Sequence, residues 1–160
     1  MSYEMTAVPI REVGEQSGDN WGQSSTDHLR DLLADMEAAL RIVESEGSQA
    51  DFDRWELTSA YVDTDPADEI GEAVNNWPLD VEIVTSRSLV ADSSTVEQVR
   101  FLLTYGGPNV WLEMDYRMAT VRLVRRWAGD RSDAGTVGQS AFDLAERFVR
   151  AFFYIEELER

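Results

Sequence analysis

Apolar residues recur every three or four positions in three stretches of the chain, which is the spacing of a helix with one buried face. The first stretch follows a capping signal formed by Ser24 and Asp27, and it predicts a helix over Thr26 to Ser45. Its apolar positions are Leu29, Leu32, Leu33, Met36, Leu40 and Val43. They fall within an arc of about 100°, so one face of this helix is expected to be buried.

Two further helices are predicted from their start signals. Asp65 and Pro66 combine an N-cap with a proline at the first helical position, and they predict a short helix over Pro66 to Asn76. Ser140, with Asp143 three residues later, predicts the start of a final helix. The apolar positions of that helix are Phe142, Ala145, Val149, Phe152 and Ile155.

Elsewhere apolar and polar residues alternate with a period of two, which is typical of half-buried strands. The alternation from Phe52 to Val62 predicts a strand soon after the first helix. In the second half of the chain, alternating runs with short connections predict consecutive antiparallel strands. These runs cover Leu79 to Ser86, Val99 to Tyr105, Val110 to Tyr116 and Val121 to Trp127.

Three segments show neither period. Residues 1–24 include three Gly and three Ser and have little apolar content after Val13, so they are predicted to form a flexible N-terminal arm. Gly129 to Gly138 is predicted to be a polar loop, and Tyr105 to Pro108 a tight reversal between strands. The remainder, residues 25–160, is expected to be a single α+β domain of two layers, in which an antiparallel meander of about four strands carries two to three helices on one face.

Composition limits the class of protein. The chain of 160 residues has no Cys, which excludes disulfides, thiolate metal sites and a cysteine nucleophile. No apolar run is long enough to cross a bilayer, and Met1 to Gly14 has no features of a secretory signal. The sequence therefore predicts a cytoplasmic protein that does not contact a membrane.

Charge is the most unusual property of the sequence. There are 31 Asp and Glu against 14 cationic residues, all of them Arg, which gives a net charge of −17. Residues 27–80 hold fifteen acids and three arginines, whereas residues 99–130 hold five arginines and three acids. A negative surface argues against direct binding to nucleic acid or to anionic lipid. Two causes fit: adaptation to high salt, or a surface that resembles nucleic acid to a basic partner.

The acidic half supplies a candidate binding surface. Asp27, Asp31 and Asp35 recur every four residues, which is about 6 Å along a helix axis and close to the separation of successive phosphates on a nucleic-acid strand. Like charges at this spacing repel, so the row does not stabilise its helix. An alternative interpretation is an ordinary solvated helix face. The residues expected to contact a partner are Asp27, Asp31, Asp35, Asp63, Asp65, Asp68, Glu69 and Glu72.

Other kinds of site find less support in the sequence. The acids between Asp63 and Glu69 offer oxygen ligands for Ca²⁺ or Mg²⁺, but the segment lacks the glycine and the final glutamate of an EF-hand loop. Helix capping by Asp65 explains most of this cluster. His28 is the only imidazole and is expected on the surface. No local motif selects a catalytic pair of carboxylates, so no catalytic residue, cofactor or metal is predicted.

The predicted sheet carries most of the arginines of the second half. Arg100, Arg122 and Arg126 are expected on the sheet face that also carries Trp111 and Glu113. Cross-strand ion pairing is the expected role of these arginines, with a binding face for an acidic partner as the alternative.

About one third of the chain, Asn76 to Trp127, resembles a family of short proteins found in phages and mobile elements. The resemblance is carried by two runs, PLDVEI at residues 78–83 and FLLTYGGP at residues 101–108. Family members often have Gln-Asp before the tryptophan segment, where this chain has Arg125 and Arg126 before Trp127. The family brings no established activity or catalytic residues, and the resemblance implies a mobile-element setting.

The crowding of acids and this resemblance together predict a non-enzymatic acidic binding protein. In this interpretation the chain imitates nucleic acid and inhibits a restriction or CRISPR complex by occupying its basic groove. The alternative is an intracellular domain adapted to high salt, with a structural or adaptor role, in which acidity serves solubility only.

Overall fold

The alternating runs of the second half form one antiparallel sheet, which is extended by two strands that show no such alternation. The computed structural model describes residues 5–7, 21–57, 65–104, 109–127, 130–136 and 139–159. The strands are β1 (Met5–Ala7), β2 (Asp80–Ser88), β3 (Ser93–Thr104), β4 (Asn109–Asp115), β5 (Thr120–Trp127) and β6 (Asp130–Thr136). They pair in the order β1-β6-β5-β4-β3-β2.

The helices form a second layer on one face of this sheet. They are α1 (Trp21–Val43), α2 (Gln49–Arg54), α3 (Pro66–Asn76) and α4 (Gln139–Phe152), followed by a 3₁₀ helix (Ile155–Leu158). One hydrophobic cluster joins α1, α3 and α4 to the same face of β3, β4 and β5. Its strand residues include Val99, Phe101, Leu112, Met114, Val121 and Leu123. The predicted two-layer α+β architecture is confirmed.

The first helix begins earlier than predicted. Helix α1 already includes Trp21, and the capping signal at Ser24 lies within its first turn. Residues Met5–Ala7, which the sequence analysis assigned to a flexible arm, form β1 and pair with β6. The rest of the predicted arm, residues 1–4 and 8–20, lies outside the described residues. None of the described helices combines the length and apolarity that a bilayer span requires.

The strand predicted from Phe52 is wrong, because the chain forms α2 there. Ser48 caps this helix, since its side chain accepts a hydrogen bond from the backbone N–H of Asp51 and its own N–H donates to the Asp51 carboxylate at 2.9 Å. Arg41 of α1 holds the same carboxylate at 2.6 Å. This reciprocal cap stabilises a helix that the period-two pattern did not indicate. Residues 58–64, which complete the predicted strand, lie outside the described residues.

Helix α3 matches its prediction at both ends. The Asp65 side chain accepts a hydrogen bond from the backbone N–H of Ala67 at 2.9 Å, and Pro66 occupies the first position. Trp77 ends the helix and packs against three other rings. Its ring centroid is 5.5 Å from that of Phe101, 5.9 Å from that of Phe148 and 6.3 Å from that of Trp55. This aromatic cluster holds the end of α3 against both the sheet and α4.

The remaining differences concern the ends of the sheet. Strands β2 to β5 confirm the four predicted strands, and α4 begins at Gln139, one residue before the predicted cap. The segment predicted as a polar loop over Gly129 to Gly138 instead contains β6, which pairs with β5 and β1. Backbone pairing recruits this strand, so the side-chain pattern gives no signal for it. The predicted reversal at Tyr105 to Pro108 lies outside the described residues.

The outer face of the sheet carries cross-strand ion pairs. The guanidinium of Arg100 lies 3.7 Å from the Glu113 carboxylate and 3.5 Å from that of Glu82. Arg126 approaches Glu113 at 3.5 Å. The register places Arg122 directly opposite Glu113. Cross-strand pairing is therefore confirmed for Arg100 and Arg126.

The clamp on Asp51 generates a prediction about acid stability. The hydrogen bonds from Arg41 lower the pKa of Asp51 to about 2, and its side chain is only 6% exposed. Because this pKa lies below its value in the unfolded chain, the clamp stabilises the fold fully above about pH 4 and is lost as the pH falls towards 2. We expect Asp51→Asn to lower the free energy of unfolding by roughly 2 kcal/mol at pH 7.

Urea unfolding of both proteins at several pH values measures this effect. The difference between wild type and Asp51→Asn should shrink as the pH approaches 2. Asp53→Asn is the matched control, because Asp53 is exposed on the same helix and its carboxylate accepts a hydrogen bond from the neutral side chain of Gln49. A difference that is independent of pH, or an equal loss in the control, would contradict the prediction.

Candidate functional site

A groove on the helical layer has the most distinctive combination of side chains among the described residues. Its volume is about 600 Å³, and it lies between α3, the last residue of α1 and the end of α4. Asp68 and Glu72 line it from successive turns of α3, together with Asn75 and Asn76. Tyr154 borders the groove and is 83% exposed. We call this feature the α3 groove.

The α3 groove follows from how α3 buries its apolar side. Ile70 and Val74 are fully buried in the core. Residues two positions from them on a helix face away, so Asp68 and Glu72 point to solvent on a shared face. The two positions are one turn apart, about 6 Å along the axis. The lining residues include no arginine, so the negative charge of this face is not neutralised within the groove.

The other acids predicted around α3 have different surroundings. Asp65 is engaged as the N-cap of the helix. Glu69 is half-buried, with one carboxylate oxygen shielded from solvent. Asp63 lies outside the described residues. Of this part of the predicted surface, Asp68 and Glu72 are therefore the exposed carboxylates that the groove brings together.

The predicted row on α1 is interrupted at Asp35. Asp27 and Asp31 are exposed, and the 3.5 Å pair of Asp27 with Arg30 is itself solvent-exposed and contributes little. Asp35 is half-buried and bonded to Arg54 of α2 at 2.7 Å. Burial raises the pKa of Asp35, and the hydrogen bond from Arg54 opposes that rise. Of the row on α1, Asp27 and Asp31 are therefore the exposed members.

The structure separates the two groups of acids. A small cavity of about 170 Å³ is lined by Ile42 near the end of α1 and by Asp65 and Pro66 at the start of α3. Asp27 lies 15 residues before Ile42, which is about 22 Å along the helix axis. The exposed acids of the predicted surface therefore lie in two patches, one at the start of α1 and one in the α3 groove.

The described residues offer little support for a catalytic centre. Asp51 and Asp35 are each held by an arginine. The Tyr116 hydroxyl is buried without a hydrogen-bond partner, and burial raises its pKa, so it is protonated at neutral pH. His28 is exposed. No group of three or more potential metal-ligating side chains occurs among the residues described, so this part of the chain shows no site for a resident metal.

Sequence reasoning missed part of the α3 groove. Tyr154 and the two asparagines were not singled out, and Val43 was assigned to the buried face of α1 but also lines the groove. These residues come from three segments far apart in the chain, so no local spacing relates them. The only usable signal was the i, i+4 spacing of Asp68 and Glu72 outside the apolar face of α3.

The pairing of Asp35 with Arg54 yields a second prediction. Replacing Arg54 with Gln removes a hydrogen bond and a positive charge that both lower the pKa of Asp35, so this pKa should rise further above its ordinary value. Carboxyl ¹³C NMR titration of Asp35 measures the shift. Arg30→Gln is the control, because Arg30 contacts Asp27 and not Asp35. An unchanged or lower pKa in Arg54→Gln would show that the pair is not formed in solution.

Comparisons of the chain with protein-family models, with curated proteins and with solved structures give no match.

Proposed function

We propose that this chain is a non-enzymatic acidic binding protein that occupies a positively charged, nucleic-acid-binding surface of another protein. The observation that carries the proposal is the α3 groove, which combines two exposed carboxylates with an exposed aromatic ring and no lining arginine. A basic surface that binds phosphates would find complementary charge there. The mobile-element resemblance of residues 76–127 favours a restriction or CRISPR complex as the partner.

The chemistry of the α3 groove fits an arginine-rich partner. A guanidinium pairs with carboxylates and also stacks on aromatic faces, which a lysine ammonium does less well. Asp68 and Glu72 supply the carboxylates, and Tyr154 supplies the ring at the border of the same groove. Nucleic acid presents the same two features, negative charge beside planar rings. The groove therefore supports mimicry better than an acidic helix face alone would.

The exposed pair at the start of α1 plays a secondary part in this proposal. Asp27 and Asp31 lie roughly 20 Å from the α3 groove by the length of α1. Charges at that distance act on a partner mainly through its approach, because screening limits their range to about 10 Å at 0.1 M salt. We assign the α3 groove to the contact and the α1 pair to steering.

The proposal predicts a graded response to charge removal. The double variant Asp68→Asn/Glu72→Gln should weaken binding to a purified restriction or CRISPR complex at least about tenfold at 0.1 M salt. Asp27→Asn/Asp31→Asn should mainly slow association. Surface plasmon resonance against each complex separates the association and dissociation rates, and duplex DNA as competitor should displace the wild-type chain.

The matched control removes two charges elsewhere. Asp143→Asn/Glu157→Gln neutralises two exposed acids of the C-terminal segment and should leave both rates nearly unchanged. The proposal is refuted if the wild-type chain binds none of these complexes. It also fails if binding does not weaken with salt, or if the control loses as much affinity as the groove variant.

A second candidate, adaptation to high salt, is favoured by the distribution of the remaining acids. Exposed carboxylates also occur outside the two patches, for example at Asp53, Glu56, Asp143 and Glu157. The chain has 31 Asp and Glu against 14 Arg, so its net charge is −17. A diffuse acidic coat of this kind keeps a protein hydrated and soluble without any partner.

Salt dependence of stability tests this second candidate. Repulsion among the acids is unscreened at low salt, so the melting temperature should rise by several degrees, about 5 °C or more, between 0.01 M and 1 M NaCl. Differential scanning calorimetry measures the change. Sucrose, which does not screen charge, is the control for general solvent effects. A melting temperature that stays constant or falls with NaCl would contradict the acid-repulsion account.

A further inference from the structure

The outer edge of β2 is free in the described sheet. Strand β2 stands last in the strand order and pairs only with β3, so every second residue along it directs its backbone N–H and C=O to the outer side. The Val81 N–H is bonded to the exposed carboxylate of Asp80 at 2.9 Å, a local contact that an added strand would replace. The strand contains no proline and its side chains from Thr85 to Ser88 are exposed. Such an edge is a template for another strand.

Exposed apolar residues are concentrated at the two ends of this strand. Leu79, directly before β2, is 62% exposed. Leu89 and Val90, in the turn directly after it, are 92% and 100% exposed. Within the turn the Ser88 hydroxyl accepts a bond from the N–H of Ala91 at 3.1 Å, and Arg87 lies 2.7 Å from Asp92 in an exposed pair. Leu89 and Val90 are therefore presented to solvent at the tip of the β2–β3 hairpin, and Leu79 at its base.

We propose that the β2 edge pairs with the β2 edge of a second copy of this chain, in an antiparallel two-fold arrangement centred on Val84. In this arrangement the first residue of β2 in each copy, Asp80, lies opposite the last residue of β2 in the other copy, Ser88. Leu79 of one copy then lies opposite Leu89 of the other, which removes from water the apolar side chains that the monomer exposes. Both central sheets join into one continuous sheet.

The charges along β2 are compatible with this register. Glu82 lies opposite Ser86 of the second copy and Asp80 opposite Ser88, so no two acids are directly opposed. Val84 lies opposite its own symmetry mate on the two-fold axis. A register moved by two residues would bring Leu79 opposite Arg87 in one direction and opposite Ala91 in the other, so neither shift pairs Leu79 with Leu89. The centred register is therefore the one in which both the backbone and the apolar ends are matched.

Net charge opposes this association, so the affinity of the dimer should increase with salt concentration. Two chains of −17 repel each other, and screening reduces this repulsion as the Debye length falls from about 10 Å at 0.1 M to about 3 Å at 1 M salt. The dimer should therefore tighten at least about tenfold over this range. The contact proposed for the α3 groove should weaken with salt instead, so the two interfaces have opposite salt dependence.

A charge-swap experiment at Val84 tests the arrangement. Sedimentation velocity at 1 M NaCl should show a concentration-dependent dimer of the wild-type chain. Val84→Lys and Val84→Glu each place like charges opposite one another on the axis, and each should raise the dissociation constant at least about tenfold. Mixing the two variants should restore a heterodimer, because the opposed charges are then complementary. Circular dichroism confirms that each variant is folded.

The apolar ends are tested by a matched pair of substitutions. Leu89→Ser should weaken the dimer, whereas Met118→Ser, which changes an exposed side chain in the turn between β4 and β5, should not. The proposal is overturned if the wild-type chain stays monomeric to millimolar concentration at high salt, or if it forms open-ended aggregates. It is also overturned if the mixed Val84 variants fail to associate. None of these outcomes depends on the function proposed for the α3 groove.

Discussion

Burial of α1 between the sheet and the other helices is the constraint on which the rest of the structure depends. Leu29, Leu33, Met36 and Ala39 are all fully buried, and they belong to the cluster that also contains the inner faces of β3, β4 and β5. Because other elements cover most of α1, only a small part of its surface is exposed to solvent, and its charged residues lie there. Removing one of its large side chains would cost about 2–5 kcal/mol.

That enclosure decides where the acids can act. Helix α2 packs beside α1 through two reciprocal ion pairs, Arg41 to Asp51 and Arg54 to Asp35, and the Trp55 indole N–H donates to the Asp35 carbonyl oxygen at 2.8 Å. Asp35 thereby becomes part of a helix contact and is lost to the exposed row on α1. Helix α3 instead directs Asp68 and Glu72 into an open groove. The same kind of residue thus holds the fold together in one place and leaves negative charge accessible in another.

The sequence predicted most of this fold and less of its site, for identifiable physical reasons. The start of helix α3 was predicted because Asp65 and Pro66 are strong local signals, and its end because Pro78 follows it closely. Helix α2 was missed although Ser48 and Asp51 have the spacing of a capping signal, because the period-two alternation from Phe52 indicated a strand and because Arg41, which holds Asp51, lies ten residues away. Strand β6 was missed because its sequence does not alternate between apolar and polar residues, although its backbone pairs with β5 and β1. The α3 groove combines residues that are distant in sequence, whereas its two carboxylates share one helix face and were predicted.

The use of the arginines explains why the accessible charge is so negative. Two arginines, Arg41 and Arg54, link α1 to α2, and Arg147 links α4 to the turn that follows α1. On the outer sheet face, Arg100 and Arg126 link neighbouring strands. Arg150 pairs with three glutamates of the C-terminal segment. Cations committed to such contacts neutralise the acids of the fold itself, so the carboxylates that remain in the α3 groove face solvent without a compensating charge. A partner rich in arginine would supply the charge that the chain has used elsewhere.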